Sequence, residues 1–116
     1  MSNIYTIWIR TGNGENGGTD AQVYIQLVGT EGKTESIHLP ARDVFTFEAG
    51  SIDRFVLEVP DIGEVTRCCL GHDGSDPAGW YVAEVRVQDD ETERGWTFMF
   101  DRWIGDEGKT FSCVDL

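Results

Sequence analysis

Three groups of residues in this sequence have types and spacings suited to chemistry. Gly12, Gly14 and Gly17 form a literal G-x-G-x-x-G, the spacing of loops whose backbone amides cradle phosphate. Cys68 and Cys69 are adjacent and close to His72, a set that supplies thiolate and imidazole for a nucleophile or a metal. Asp20, Asp43, Asp73 and Asp76, with Glu48, fall in connecting segments. Carboxylates on flexible, glycine-rich backbone are ligands for hard cations such as calcium.

The segments around these residues decide which chemistry is open to them. A dinucleotide fingerprint needs a helix after its glycines, because the helix N-terminus holds the pyrophosphate. The residues that follow here, "DAQVYIQLV", alternate as a strand does, so no nucleotide is expected. Adjacent residues on a strand point to opposite faces, so Cys68 and Cys69 cannot grip one metal together. One is expected in the core and the other on the outer face. The acids match no EF-hand spacing, and a solvated loop face is their ordinary alternative to a calcium site.

Period-two alternation runs along nearly the whole chain. Tyr5, Ile7 and Ile9 alternate with Thr6, Trp8 and Arg10; Val23, Ile25 and Leu27 with Tyr24 and Gln26. Phe55, Leu57 and Val59 repeat the pattern, as do Val85 with Val87 and Trp96 with Phe98 and Phe100. Turn clusters such as "GTEGK", "VPDIGE" and "DDETERG" separate the runs. The spacing predicts eight strands, near 4–10, 22–28, 34–39, 53–59, 65–71, 80–88, 94–100 and 110–115, with a short helical stretch near Asp43. Many short strands with regular turns imply an all-β sandwich or barrel. At 116 residues the chain is expected to be one domain, spanning 1–116.

Bulk properties exclude several partners. Twenty-one acids against nine Lys and Arg give a formal charge of −12, which repels nucleic acid and, unless bound cations reverse the sign locally, anionic lipid. The N-terminal residues show no secretory pattern. Three cysteines without a disulfide spacing point to reduced thiols and a cytoplasmic setting. His38 is expected on a sheet surface, and His72 to hydrogen-bond the loop that follows it. No Ser/His/Asp order or metal-His motif is present, so no enzyme activity is expected.

Four blocks in order, "TG…GGTDAQVYIQLVG", "FTFEAGSIDRFVLEV", "IGEVTRCCLGHDGS…GWYVAEVRV" and "WTFMFDRWI", resemble the PLAT family of polycystins, lipoxygenases and alpha-toxin. The resemblance spans residues 3–115. It implies an antiparallel β-sandwich of two four-stranded sheets. It also implies a non-catalytic module that docks a protein onto membranes or partner proteins, often with calcium. Calcium ligands in that family come from three loops at one end. Carried over by position, they imply one site from Asn16, Gly18, Asp76 and Gly79, and a second from Thr19, Asp20 and Asp43. Thr46 stands where the family pattern has an Asp, and Ala78 with Gly79 where it has an Asp before a small residue.

The loop tips separate two uses of such a scaffold. Lipid-binding relatives carry aromatics there, and this chain has polar residues near Glu15 and Ser75. Trp80, Trp96 and Trp103 are expected to be packed, and Trp8 to be exposed. The first reading is therefore a module for a protein partner, with calcium ordering the loops. The alternative is a calcium-dependent module for membrane lipid.

Overall fold

The computed structural model describes residues 2–14, 18–19, 21–41, 46–73, 79–105 and 111–116. Nine strands occur among them: β1 (Ser2–Thr11), β2 (Val23–Gly29), β3 (Gly32–Lys33), β4 (Ile37–Leu39), β5 (Ile52–Pro60), β6 (Val65–His72), β7 (Trp80–Asp89), β8 (Gly95–Ile104) and β9 (Phe111–Asp115). No helix occurs among the described residues. The stretch near Asp43 lies outside them.

The strands form two sheets, and every ladder is antiparallel. One has the order β5-β1-β7-β8. The other runs β3-β2-β6-β9, with β4 also paired to β2. The sequence predicts a single strand over 34–39. The structure keeps Ile37–Leu39 of that segment as β4 and sets a separate β3 before it, at Gly32–Lys33; both pair with the edge of β2 that β6 leaves open. The division is local chemistry. Thr34 Oγ1 accepts the Leu27 N–H at 3.1 Å, and the Thr34 N–H donates to the Leu27 carbonyl at 2.8 Å. A side chain thus takes a bond that a continuous ladder would fill from backbone.

The inward rows are those the alternation marks. Tyr5, Ile7 and Ile9 on β1 and Val23, Ile25 and Leu27 on β2 are fully buried. They meet Phe55 and Leu57 from β5, Leu70 from β6, Val85 and Val87 from β7, and Phe98 and Phe100 from β8 in one core cluster. Each large apolar side chain removed from water contributes about 1.5–3 kcal/mol, which is why one face of each sheet carries them. Register shifts at Arg10/Thr11 in β1 and Val82/Glu84 in β7 bend the first sheet where it approaches the glycine-rich loop.

Candidate functional site at the loop end of the sandwich

β1 runs into the glycine loop and is fastened to the neighbouring connection. Thr11 N–H donates to the Ser51 carbonyl at 3.0 Å, and Gly50 N–H to the Gly12 carbonyl at 3.1 Å. Gly12 N–H donates to the Tyr81 carbonyl at 2.9 Å. A β-carbon on Gly12 would stand 2.5 Å from the Tyr81 ring, so the close approach requires glycine. Trp80, fully buried, donates its indole N–H to Thr11 Oγ1 at 3.0 Å and locks the end of β1 to the start of β7.

Thr19 joins all three loops. Its N–H donates to the Phe47 carbonyl in the second loop at 3.0 Å. Its Oγ1 lies 3.0 Å from His72 Nε2 at the start of the third loop and accepts the Ala21 N–H at 3.1 Å. Thr19 and His72 are both buried. Gly105 packs on the other side of the imidazole; a β-carbon there would stand 2.4 Å from His72 Nδ1. His72 therefore bonds the first loop. Asp73 does bridge outward, its Oδ1 accepting the Gln22 N–H at 3.3 Å. Phe47 adopts φ 60 and is held there: its N–H donates to Asp53 Oδ2 at 2.9 Å. Its ring stacks on Phe55 and meets Trp80 edge-on, with centroids 5.7 and 5.2 Å away.

Of the residues implied as calcium ligands, Gly18, Thr19 and Gly79 are described. Asn16, Asp20, Asp43 and Asp76 lie outside the described residues, as do Glu15 and Ser75. Gly18 fits tightly beneath the second loop, where a β-carbon would stand 2.8 Å from the Phe47 carbonyl oxygen. The Thr19 hydroxyl is already engaged by His72 and by the Ala21 N–H. Thr46, which replaces the family's Asp, is buried. Among the described residues no three of His, Cys, Asp and Glu group closely enough to hold a metal. Of the implied ligands, those described therefore contribute no carboxylate; Asp20, Asp43 and Asp76 lie outside the described residues.

A cavity of about 440 Å³ lies beside this end, on the outer face of the first sheet. Arg10, Asn13, Gly50, Tyr81, Asp101 and Trp103 line it. Tyr81 and Trp103 meet edge-on at 5.4 Å, and Arg10 pairs with Glu84 at 3.0 Å. Trp103 was expected to be packed, yet it is 39% exposed. The signal for this was parity: Phe98, Phe100 and Ile104 face inward, so an odd-numbered neighbour of Ile104 faces out. Trp96 is partly buried against the core, and Trp8 is half-buried where exposure was expected.

The cysteines correct a second expectation. Cys69 and Cys113 are opposed on β6 and β9 and form a disulfide, with S–S 2.08 Å. Two of the three thiols are therefore not reduced. Cys68 faces the core as the alternation requires, and burial pushes its thiol well above the ordinary range, which removes it as a nucleophile. His38 is exposed as expected; its Nε2 lies 2.5 Å from Gln22 Oε1.

The sequence profile of the PLAT/LH2 domain matches residues 5–112. Lipoxygenase homology domain-containing protein 1 of Homo sapiens is 38% identical over 104 residues, covering 87% of this chain and 5% of that protein. The polycystin family receptor for egg jelly of Mus musculus is 37% identical, covering 86% and 5%. This chain therefore spans about a twentieth of the length of these relatives. Among solved structures, coral 8R-lipoxygenase, described as activated by calcium through a C2-like domain, superposes with TM-score 0.85 at 27% identity. The match covers 97% of this chain and 16% of that one. The alpha-toxin of Clostridium absonum shares the fold, with TM-score 0.76 at 18% identity over 97% of this chain and 31% of its own.

Proposed function

The chain belongs to the PLAT/LH2 domain family, a family of interaction modules, and from that membership we propose that it is a non-catalytic docking module for a protein partner, with calcium ordering the loops at one end. The observation that carries this reading is the convergence at Thr19. Three loops are tied at their bases by the Thr19 bonds to Phe47 and His72. A cation bound by Asn16, Gly18, Asp76 and Gly79, and a second by Thr19, Asp20 and Asp43, would then fix loop segments whose roots are already set. Its chemistry would be neutralisation of clustered carboxylates, not bond breaking. Calcium-linked activity in coral 8R-lipoxygenase and in a calcium-dependent 11R-lipoxygenase supports the proposal.

Thermal unfolding in calcium and in chelator tests it. A ligand bound only by the folded state stabilises by about 2.7 kcal/mol at a hundred times its Kd. Calcium should raise Tm in the unaltered protein, and Asp20→Asn should abolish most of that rise. Identical melting curves in millimolar calcium and in chelator would count against any site of useful affinity.

A second reading, calcium-dependent binding to membrane lipid, draws on the half-buried Tyr81 and exposed Trp103 beside the first loop, since such side chains suit a membrane interface. Sedimentation with vesicles separates the two. Calcium-dependent pelleting on anionic or neutral vesicles favours lipid; its absence leaves the protein-docking reading.

A further inference from the structure

The cavity of about 440 Å³ on the outer face of the first sheet has the size of a small-molecule site, for which about 300–1,000 Å³ is usual. Two of its walls are aromatic. Tyr81 and Trp103 are cross-strand partners on β7 and β8, and their rings meet at 78°, so they form a corner. The corner is held from behind. Gly12 lies against the Tyr81 ring, its N–H donating to the Tyr81 carbonyl and its carbonyl accepting the Gly50 N–H. Trp103 keeps an exposed surface. A fixed aromatic platform gives a ligand contact area without an ordering cost.

The strand ladder is irregular at this corner. Val82 pairs with Arg102 and Glu84 with Met99, so Phe100 and Asp101 together oppose Ala83. Asp101 adopts φ 44, in the left-handed region that is uncommon outside glycine. Bulges of this kind re-aim a side chain. Asp101 is thereby brought to the cavity beside Trp103, and the small Ala83 leaves the space between them open. Asn13 stands at the opposite margin. Among the described residues, the Asp101 carboxylate, the Asn13 amide and the Tyr81 hydroxyl have no hydrogen-bond partner. Together they offer both donors and acceptors around the rings.

We propose that this cavity binds a neutral saccharide of one or two rings, with one sugar face on Trp103 and its hydroxyls on Asp101, Asn13 and Tyr81. A sugar ring has an apolar C–H face and a polar rim. Its C–H groups are drawn to the negative face of an aromatic ring. Its hydroxyls need acceptors and donors side by side, which a carboxylate, an amide and a phenol supply. That mixture separates a saccharide from the other ligands an aromatic corner takes. A cation would use the rings and Asp101, and would have no use for the donors of Asn13 and Tyr81. An anion would meet a chain of formal charge −12, with Arg10 in the same cavity already paired to Glu84. A neutral ligand is indifferent to that field. The inference goes beyond the docking reading and does not depend on it.

Saturation-transfer NMR on the whole chain tests it, with a panel of neutral mono- and disaccharides of glucose, galactose, mannose, fucose and N-acetylglucosamine. At least one should receive saturation, strongest at the C–H groups of one ring face. Trp103→Ala should weaken its binding by about tenfold or more, and Trp103→Phe should restore most of the loss. Asp101→Gly keeps the left-handed backbone and removes the carboxylate; it should weaken binding with Tm unchanged or higher. Phe111→Ala, an exposed aromatic on the other sheet, should leave binding unchanged. Absence of transfer to every saccharide in the panel overturns the proposal, as does equal binding by the Trp103→Ala chain. Tighter binding of tetramethylammonium than of any saccharide would make the corner a cation site and overturn it too. Calcium-independent pelleting on phosphatidylcholine vesicles that Trp103→Ala abolishes would assign the corner to lipid, with the same consequence. The calcium-dependent melting shift reports separately on the docking reading, so the failure of one is distinguishable from the failure of the other.

Discussion

Removing the Cys69–Cys113 bridge should be the most damaging single covalent change to this domain. The bridge closes a segment with a sequence separation of 44 residues. For a loop of that length, the entropy withheld from the unfolded chain corresponds to about 4 kcal/mol at room temperature. Apart from the bridge, β9 is held by its ladder with β6 and the bond from Arg102 to Ser112 Oγ. It is five residues long, and Val114 is its contribution to the core. The neighbouring pair, Arg67 with Asp115 at 2.5 Å, holds the Asp115 carboxyl below its ordinary range through the hydrogen bond from the guanidinium. Both groups are exposed, and exposed pairs add little stability. The unfolding entropy of a chain of 116 residues is roughly 240 cal/mol/K, so losing about 4 kcal/mol should lower Tm by roughly 17 °C. The assay compares the unaltered protein with a Cys69→Ala/Cys113→Ala double variant, both without reductant. Thiol titration of the denatured, unreduced chain should find one free thiol, Cys68, against three after reduction. Equal Tm values for the two proteins, or three free thiols before reduction, would refute the reasoning.

Thr19→Val keeps the side-chain shape and removes the bond to His72. It should cost about 1–3 kcal/mol in denaturant unfolding and reduce any calcium-induced rise in Tm, because the first and third loops lose their tie. Gly29→Ala should destabilise by more than about 2 kcal/mol: its β-carbon would stand 2.2 Å from the Ile62 carbonyl oxygen and 2.8 Å from that of Glu64, both backbone atoms that cannot turn aside. Burial holds the Tyr5 phenol above its ordinary value of about 10. The contribution is therefore complete below pH 10 and is lost as pH rises through the folded-state value. Tyr5→Phe should flatten the alkaline limb of a stability–pH profile, and an unchanged limb would exclude Tyr5 as its cause.

The strands were legible because one face of each sheet meets solvent, which imposes alternation on the sequence. Tyr5, Ile7 and Ile9 are buried together for that reason. What alternation does not carry is which strand lies beside which. Cys69 faces Cys113 only because β9 returns to pair with β6, and no local spacing announces that. The expectation of reduced thiols failed there, and with it one ground for a cytoplasmic setting. The break between β3 and β4 was hidden for a different reason: it depends on the Thr34 hydroxyl competing with backbone, not on hydrophobic pattern. At the candidate site the sequence marked the first and third loops, yet not the buried bond that joins them, since Thr19 and His72 are 53 residues apart. Trp103 was misjudged by treating a tryptophan as core material when its parity on β8 placed it outside.

The position of β1 has a consequence for how the domain is made. Of the nine strands described, the first to be synthesised lies inside its sheet, between β5 and β7. Its earliest partner begins at Ile52, 41 residues beyond the end of β1 at Thr11. At synthesis rates of about 5–20 residues per second, that interval lasts roughly 2–8 seconds. Throughout it, the apolar row of Tyr5, Ile7 and Ile9 has no native strand beside it. The second sheet closes later still, when β9 reaches β6. Such high contact order predicts refolding in the millisecond-to-second range and a nascent chain that needs protection from its neighbours until the last strand is made.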